Sequence, residues 1–130
     1  MTILVGYRPN EYGEVALLAG VEHAKLRGED LMVVNASRTD DADDADRLSP
    51  EARDELQKRL ADMGVSARVH RTHGDDVSAE ILRIALDEAA SLLVIGIRHR
   101  SAVGKLVLGS TAHRLIMDAQ CPVLTVKPGH

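Results

Sequence analysis

The stretch Leu92-Leu93-Val94-Ile95-Gly96 decides the fold. A short, continuous apolar run closed by glycine has neither the period of an amphipathic helix nor the alternation of a half-exposed strand. It predicts a fully buried strand, the kind found in parallel sheets covered on both faces. Upstream, His73-Gly74-Asp75-Asp76 forms a predicted turn with an N-cap, and Val77, Ile81, Ile84 and Ala85 make a helical stripe. Downstream, a Gly- and Arg-containing segment runs from Ile97 to about Leu108. Gly109-Ser110 then opens a helix with the face Ala112, Leu115, Ile116 and Ala119, Cys121-Pro122 breaks it, and Val123 to Val126 is a last strand.

The same alternation continues toward the N-terminus. Thr2 to Val5 reads as a strand ending at Gly6. A helix follows, with Leu17, Leu18, Val21 and Ala24 on its buried face and Gly28 as the residue that ends it. Leu31 to Val34 is a second strand, and the Asp-rich stretch after it predicts a mobile loop. Ser49-Pro50 is a helix start, Ala52, Leu56, Leu60 and Met63 mark its face, and Gly64 stops it before a weaker strand, Val65 to Val69. The expected fold is a single Rossmann-like, doubly wound α/β domain spanning residues 1–130, with a five-stranded parallel sheet in the order 3-2-1-4-5 and four helices.

Composition narrows the function. The 130 residues suit one domain, and 45% hydrophobic with 28% charged residues is a normal globular balance. No apolar run approaches a membrane span, and the start does not read as a secretory signal. The single cysteine, Cys121, excludes an internal disulfide and any Cys-cluster metal site. A cytoplasmic protein is expected. There is no Trp or Phe, and Tyr7 and Tyr12 are the two aromatic residues, so stacking on nucleic-acid bases has little to work with. The net charge of −4 also disfavours a nucleic-acid binder.

The charge is unevenly spread. From Ala89 to Met117 there is no acid, while Arg98, Arg100, Lys105 and Arg114 are basic. From Thr39 to Arg47 lie Asp40, Asp41, Asp43, Asp44 and Asp46. In a doubly wound sheet ligands bind beyond the C-terminal strand ends. That brings together Gly6 to Asn10, Ala36 to Arg38 and the segment from Gly96 onward. The last of these runs into the helix start at Gly109-Ser110, where free backbone N–H groups and the helix dipole favour an anion such as phosphate. The usual phosphate motifs are absent. Gly104-Lys105 is followed by Leu106 where a P-loop needs Ser or Thr, His99 stands in place of that loop's first Gly, and no G-x-G-x-x-G follows the first strand. His70, His73, Asp75 and Asp76 read as strand and turn residues, and no metal site is expected.

Val94-Ile95-Gly96, Gly109-Ser110 and Cys121-Pro122-Val123-Leu124-Thr125-Val126-Lys127 resemble the C-terminal half of universal stress proteins, and Ile3-Leu4-Val5-Gly6-Tyr7 resembles their start. Nucleotide-binding members of that family carry Gly, two residues, Gly, nine residues, then Gly-Ser or Gly-Thr. Gly96 and Gly109-Ser110 match that spacing, and His99 replaces the middle Gly. Arg8 stands where those members usually carry an Asp near the adenosine.

The resemblance implies an adenine-nucleotide site, with ATP as the ligand and magnesium only with the nucleotide. Strand-end position, charge and the resemblance together give the expected nucleotide-binding residues as Tyr7, Arg8, Ala36, Gly96, Arg98, His99, Arg100, Gly109, Ser110 and Thr111. The resemblance also implies a homodimer through Val123, Leu124, Thr125 and Val126, and a role in stress survival. No catalytic residue is expected: the basic loop offers no acidic magnesium ligand and no base, so at most slow hydrolysis is implied. The alternative reading is a dimeric interaction module whose pocket has degenerated, motivated by Arg8 and His99.

Overall fold

The structure, a computed structural model, describes residues 1–98 and 108–129. Its elements run β1 (Thr2–Gly6), α1 (Glu11–Arg27), β2 (Asp30–Ser37), α2 (Pro50–Asp62), β3 (Ala67–His73), α3 (Val77–Asp87), β4 (Ala90–Gly96), α4 (Ser110–Asp118) and β5 (Val123–Val126). All four strand pairings are parallel, and the order is β3-β2-β1-β4-β5. This is the expected fold.

Strand alternation divides the core in two. Ile3, Val5, Leu31, Val33, Leu92 and Val94 face α1 and α2, which contribute Ala16, Leu17, Val21, Leu56 and Leu60. Leu4, Met32, Val34, Leu93 and Ile95 face α3 and α4, which contribute Ile81, Ile84, Ala85 and Leu115. Both faces of the central strands are therefore covered, which is why those strands read as unbroken apolar runs.

The helix ends follow their residues. Asn10, Ser49 and Asp76 cap α1, α2 and α3 by accepting from the backbone N–H of Gly13, Ala52 and Ala79. Gly28 closes α1 with φ 65°, and Gly64 follows α2 with φ 80°. Both angles are unfavourable for a residue with a Cβ.

Several expectations need correction. Leu18 is 51% exposed, because α1 buries the Gly13, Ala16, Leu17, Gly20, Val21 and Ala24 stripe instead. Ile116 lies largely outside the core of α4, where Leu115 is the buried residue. β2 continues past Val34 to Ser37, and β3 runs from Ala67 to His73 rather than from Val65 to Val69. The two strands pair from Leu31–Ala67 through Ser37–His73, so backbone pairing extends them beyond their apolar residues.

The Asp-rich loop is held by side chains and is not a bare tether. Asp44 accepts from the backbone N–H groups of Thr39 and Asp46, which lower its carboxyl pKa. Asp40 accepts from Arg47 at 2.9 Å and Arg71 at 2.6 Å. Cys121 is half-buried, and burial raises its thiol pKa, which leaves it a poor nucleophile.

Candidate functional site

β1 lies between β2 and β4, and the chain leaves β1 and β4 toward opposite faces of the sheet, to α1 on one side and α4 on the other. A crevice opens at their C-terminal ends, as this topology dictates. The cleft has a volume of about 760 Å³, within the range of small-molecule sites. Its apolar surfaces come from Val34, Ala36, Ile81, Ile95 and Leu115. Its charged groups are Arg8, Arg38 and Arg114 against Asp46, Asp75 and Asp76.

The expected residues fall unequally. Tyr7, Arg8, Ala36, Gly96, Ser110 and Thr111 line the cleft. Arg98 is exposed and is not part of its lining, and Gly109 caps α4 just outside it. His99, Arg100, Lys105 and the P-loop-like Gly104 and Leu106 lie outside the described residues. His70 and His73 are exposed on β3.

Three helix N-termini meet at the cleft, and they differ. α1 is capped by Asn10 and α3 by Asp76. α4 begins at Gly109, which has no side-chain cap, and its first residues Ser110, Thr111 and Ala112 face the cleft. Among the described residues its leading amides have no side-chain acceptor, so α4 is the end with donors to offer an anion.

Two ion pairs shape the rim. Arg8 stands 3.7 Å from Asp46, with both side chains about half exposed. Arg114 pairs with Asp76, also donates to Ser78 at 3.2 Å, and lies 3.5 Å from Asp118. The Asp76 carboxyl pKa falls to about 2, first through the Ser78 hydroxyl, then the Ala79 N–H, then Arg114. Arg114 belongs to the acid-free segment of the sequence, yet it is committed to carboxylates that lie outside that segment.

Close packing explains two glycines. A Cβ on Gly13 would overlap the Arg8 carbonyl, and one on Gly96 would overlap the Tyr12 carbonyl. The N-terminal turn of α1 therefore lies directly against the Tyr7–Arg8 segment and the end of β4. Tyr7 is buried, which raises its pKa with help from the Glu14 charge.

The sequence reading missed Tyr12, Asp46, Ser78 and the pairing of Arg114. It also missed Asn35, a buried amide inside β2 that bonds to Tyr7, Asp46 and Leu48. A lone Asn within the apolar run of β2 was the available signal. The Asp-rich segment reads in the sequence as a mobile loop and not as part of the site, because its contact with Arg8 is tertiary.

The model of the universal stress protein family matches residues 1–127. The chain belongs to that family. A universal stress protein of Mycolicibacterium smegmatis is 41% identical over 126 residues, covering 97% of each chain. A universal stress protein structure from Archaeoglobus fulgidus has a TM-score of 0.79 at 27% identity, over 98% of each chain. Another from that archaeon, solved in complex with dAMP, has a TM-score of 0.69 at 23% identity, again over 98% of each chain, and shows the likeness of fold. Among the described residues no helix of this universal stress protein is long and apolar enough to cross a membrane.

Proposed function

We propose that this universal stress protein binds a nucleoside phosphate, with ATP or another adenine nucleotide as the ligand, and acts as a regulatory homodimer in the cytoplasm during stress. The observation that carries the binding reading is the uncapped N-terminus of α4, opening into a cleft of nucleotide size. Phosphate oxygens accept from the Ser110–Ala112 turn, with Gly109 allowing close approach. The base lies against Val34, Ala36, Ile81 and Ile95, and Tyr7, Arg8 and Gly96 border it. Arg98, His99 and Arg100 follow β4 in sequence and belong to the proposed phosphate-binding set. The dAMP complex of the Archaeoglobus fulgidus relative supports this reading. Val123 to Val126 form the edge strand proposed to pair with a second copy.

The test is thermal unfolding with AMP, ADP, ATP and Mg-ATP, with GTP and inorganic phosphate as controls. Ligand at ~100 times its dissociation constant adds about 2.7 kcal/mol. An adenine-specific rise in Tm is expected, and no rise with any nucleotide would overturn the binding reading.

One observation favours the second reading, a dimeric module with a degenerate pocket. The rim cations Arg8 and Arg114 already face Asp46 and Asp76. Dimerisation with no nucleotide effect would select it.

A further inference from the structure

Asn35 lies near the end of β2 and is 1% exposed. Its Nδ2 donates to the carbonyls of Tyr7 at 3.1 Å and Asp46 at 2.8 Å, and its Oδ1 accepts from the Leu48 N–H at 2.8 Å. Both amide hydrogens and one oxygen lone pair are thus in use. The partners come from two separate connections, β1 to α1 and β2 to α2. Tyr7 and Asp46 both line the cleft, while Asn35 itself does not.

Those two connections are the ones joined at the rim by Arg8 and Asp46. Each is also backed from behind. The Tyr7 N–H donates to the Val34 carbonyl, and the Arg8 carbonyl lies against Gly13. The Leu48 carbonyl accepts from Arg71 at 2.6 Å. Neither backing contact connects one wall to the other. Within the fold, the Asn35 carboxamide makes that connection from below the cleft floor, and the Arg8–Asp46 pair makes it at the exposed rim.

We infer that Asn35 is the positioning residue of the cleft, tying the Tyr7–Arg8 wall to the Asp46 wall and so setting affinity for the nucleoside phosphate without touching it. This rests on the binding reading above. Removing the carboxamide leaves the Tyr7 and Asp46 carbonyls without their donor. The buried Tyr7 carbonyl and the part-buried Asp46 carbonyl then carry the desolvation cost of an unmade bond, which favours conformations that bring them to water. The walls then separate and the pre-formed cleft is lost.

The experiment measures AMP binding to the full chain by calorimetry for wild type, Asn35→Ala, Asn35→Thr and Leu60→Ala. Leu60 is fully buried in α2 and is not part of the cleft lining, so its variant reports destabilisation alone. Amide hydrogen exchange without ligand is recorded on the same proteins. Asn35→Ala is expected to weaken AMP at least ~10-fold, while Leu60→Ala stays within ~2-fold. Asn35→Thr, with one hydroxyl donor on a β-branched frame, falls between, and it carries the comparison if Asn35→Ala does not fold. Protection should fall in both Tyr7–Arg8 and Asp46–Leu48 in the Asn35 variants. AMP affinity unchanged by Asn35→Ala, or equally weakened by Leu60→Ala, overturns the inference. If wild type binds no AMP, ATP replaces it in the same titrations; if neither binds, the nucleotide reading fails and hydrogen exchange decides: loss in both connections upholds the tie, and loss in one or neither overturns it.

Discussion

Arg114 of α4 donates to the carboxylate of Asp76, the residue that caps α3. One carboxylate therefore closes a helix N-terminus and holds a second helix beside it at the cleft. Its pKa is lowered from 3.8 to about 2, with the Ser78 hydroxyl as the first cause. A carboxyl with a depressed folded pKa stabilises fully above its unfolded value, and that stability is lost as pH falls through the folded value. The wild-type Tm should therefore fall between about pH 4 and pH 2 more steeply than that of Asp76→Asn. The Asn keeps a cap acceptor but has no charge to lose. Parallel Tm-against-pH curves for the two proteins would remove Asp76 from the acid response.

By its family resemblance Gly96 matches the first glycine of the nucleotide-binding spacing, and the structure gives it a packing reason as well. A Cβ there would overlap the Tyr12 carbonyl, which belongs to helix backbone and has no rotamer to yield. Gly96→Ala should push α1 from the end of β4 and cost about 1–3 kcal/mol, the usual range for overpacking. Chemical denaturation measures this directly. A variant with wild-type stability would mean that α1 is less tightly docked than its contacts imply.

Ala89 is the single described non-glycine residue with positive φ, at 48°. It sits after α3, where α1 and α2 are followed by glycines in the same left-handed region. Ala89→Gly relieves the Cβ conflict but gives the unfolded chain more freedom. The relief is the larger effect, so the variant should gain about 0.5–1 kcal/mol. A denaturant midpoint at or below that of wild type would contradict this.

β5 is an edge strand of four residues. The Pro122 and Val126 carbonyls accept from Leu93 and Ile97 of the neighbouring chain segment, so the backbone groups of Thr125 alternate outward. Thr125→Pro removes an outward N–H without breaking the β4 pairing. Under the proposed dimer it should shift the protein to monomer while secondary structure is kept. Sedimentation velocity reads the outcome, and an unchanged dimer would place the interface on another surface.

Much of this architecture was legible because buried parallel strands must be apolar on both faces. Leu92 to Ile95 and Ile3 to Val5 announced themselves in that way, and Ser49 and Asp76 announced their helices through cap chemistry. β3 was harder to place. It is the outer strand, Val69 is its one buried residue, and pairing with β2 carries Arg71 and His73 into the sheet. The cleft was legible as a place but not as a charge pattern. Arg8 meets Asp46, and Arg114 meets Asp76, across distances in sequence that no local pattern records. Asn35 stands out as a lone amide in an apolar strand, but its role is not legible there, since it lies in three partners on two connections.

The bare N-terminus of α4 yields a prediction with opposite signs for stability and binding. Gly109 has β-region backbone angles, φ −65° and ψ 161°, and a Cβ added there would meet no atom of the described residues within 4 Å. Gly109→Asp can therefore adopt the cap geometry that Gly109 leaves unused. Its carboxylate would accept from the first-turn amides and complement the helix dipole, a gain of a few tenths to about 1 kcal/mol. The same carboxylate would occupy the donors proposed for phosphate and repel the ligand's charge. The free protein should melt higher and the nucleotide-induced rise in Tm should disappear. Gly109→Ala separates the two effects, because it adds a Cβ without an acceptor or a charge. If Gly109→Asp kept the full nucleotide response, phosphate would have to bind elsewhere in the cleft, and the uncapped helix end would be no more than an unfinished cap.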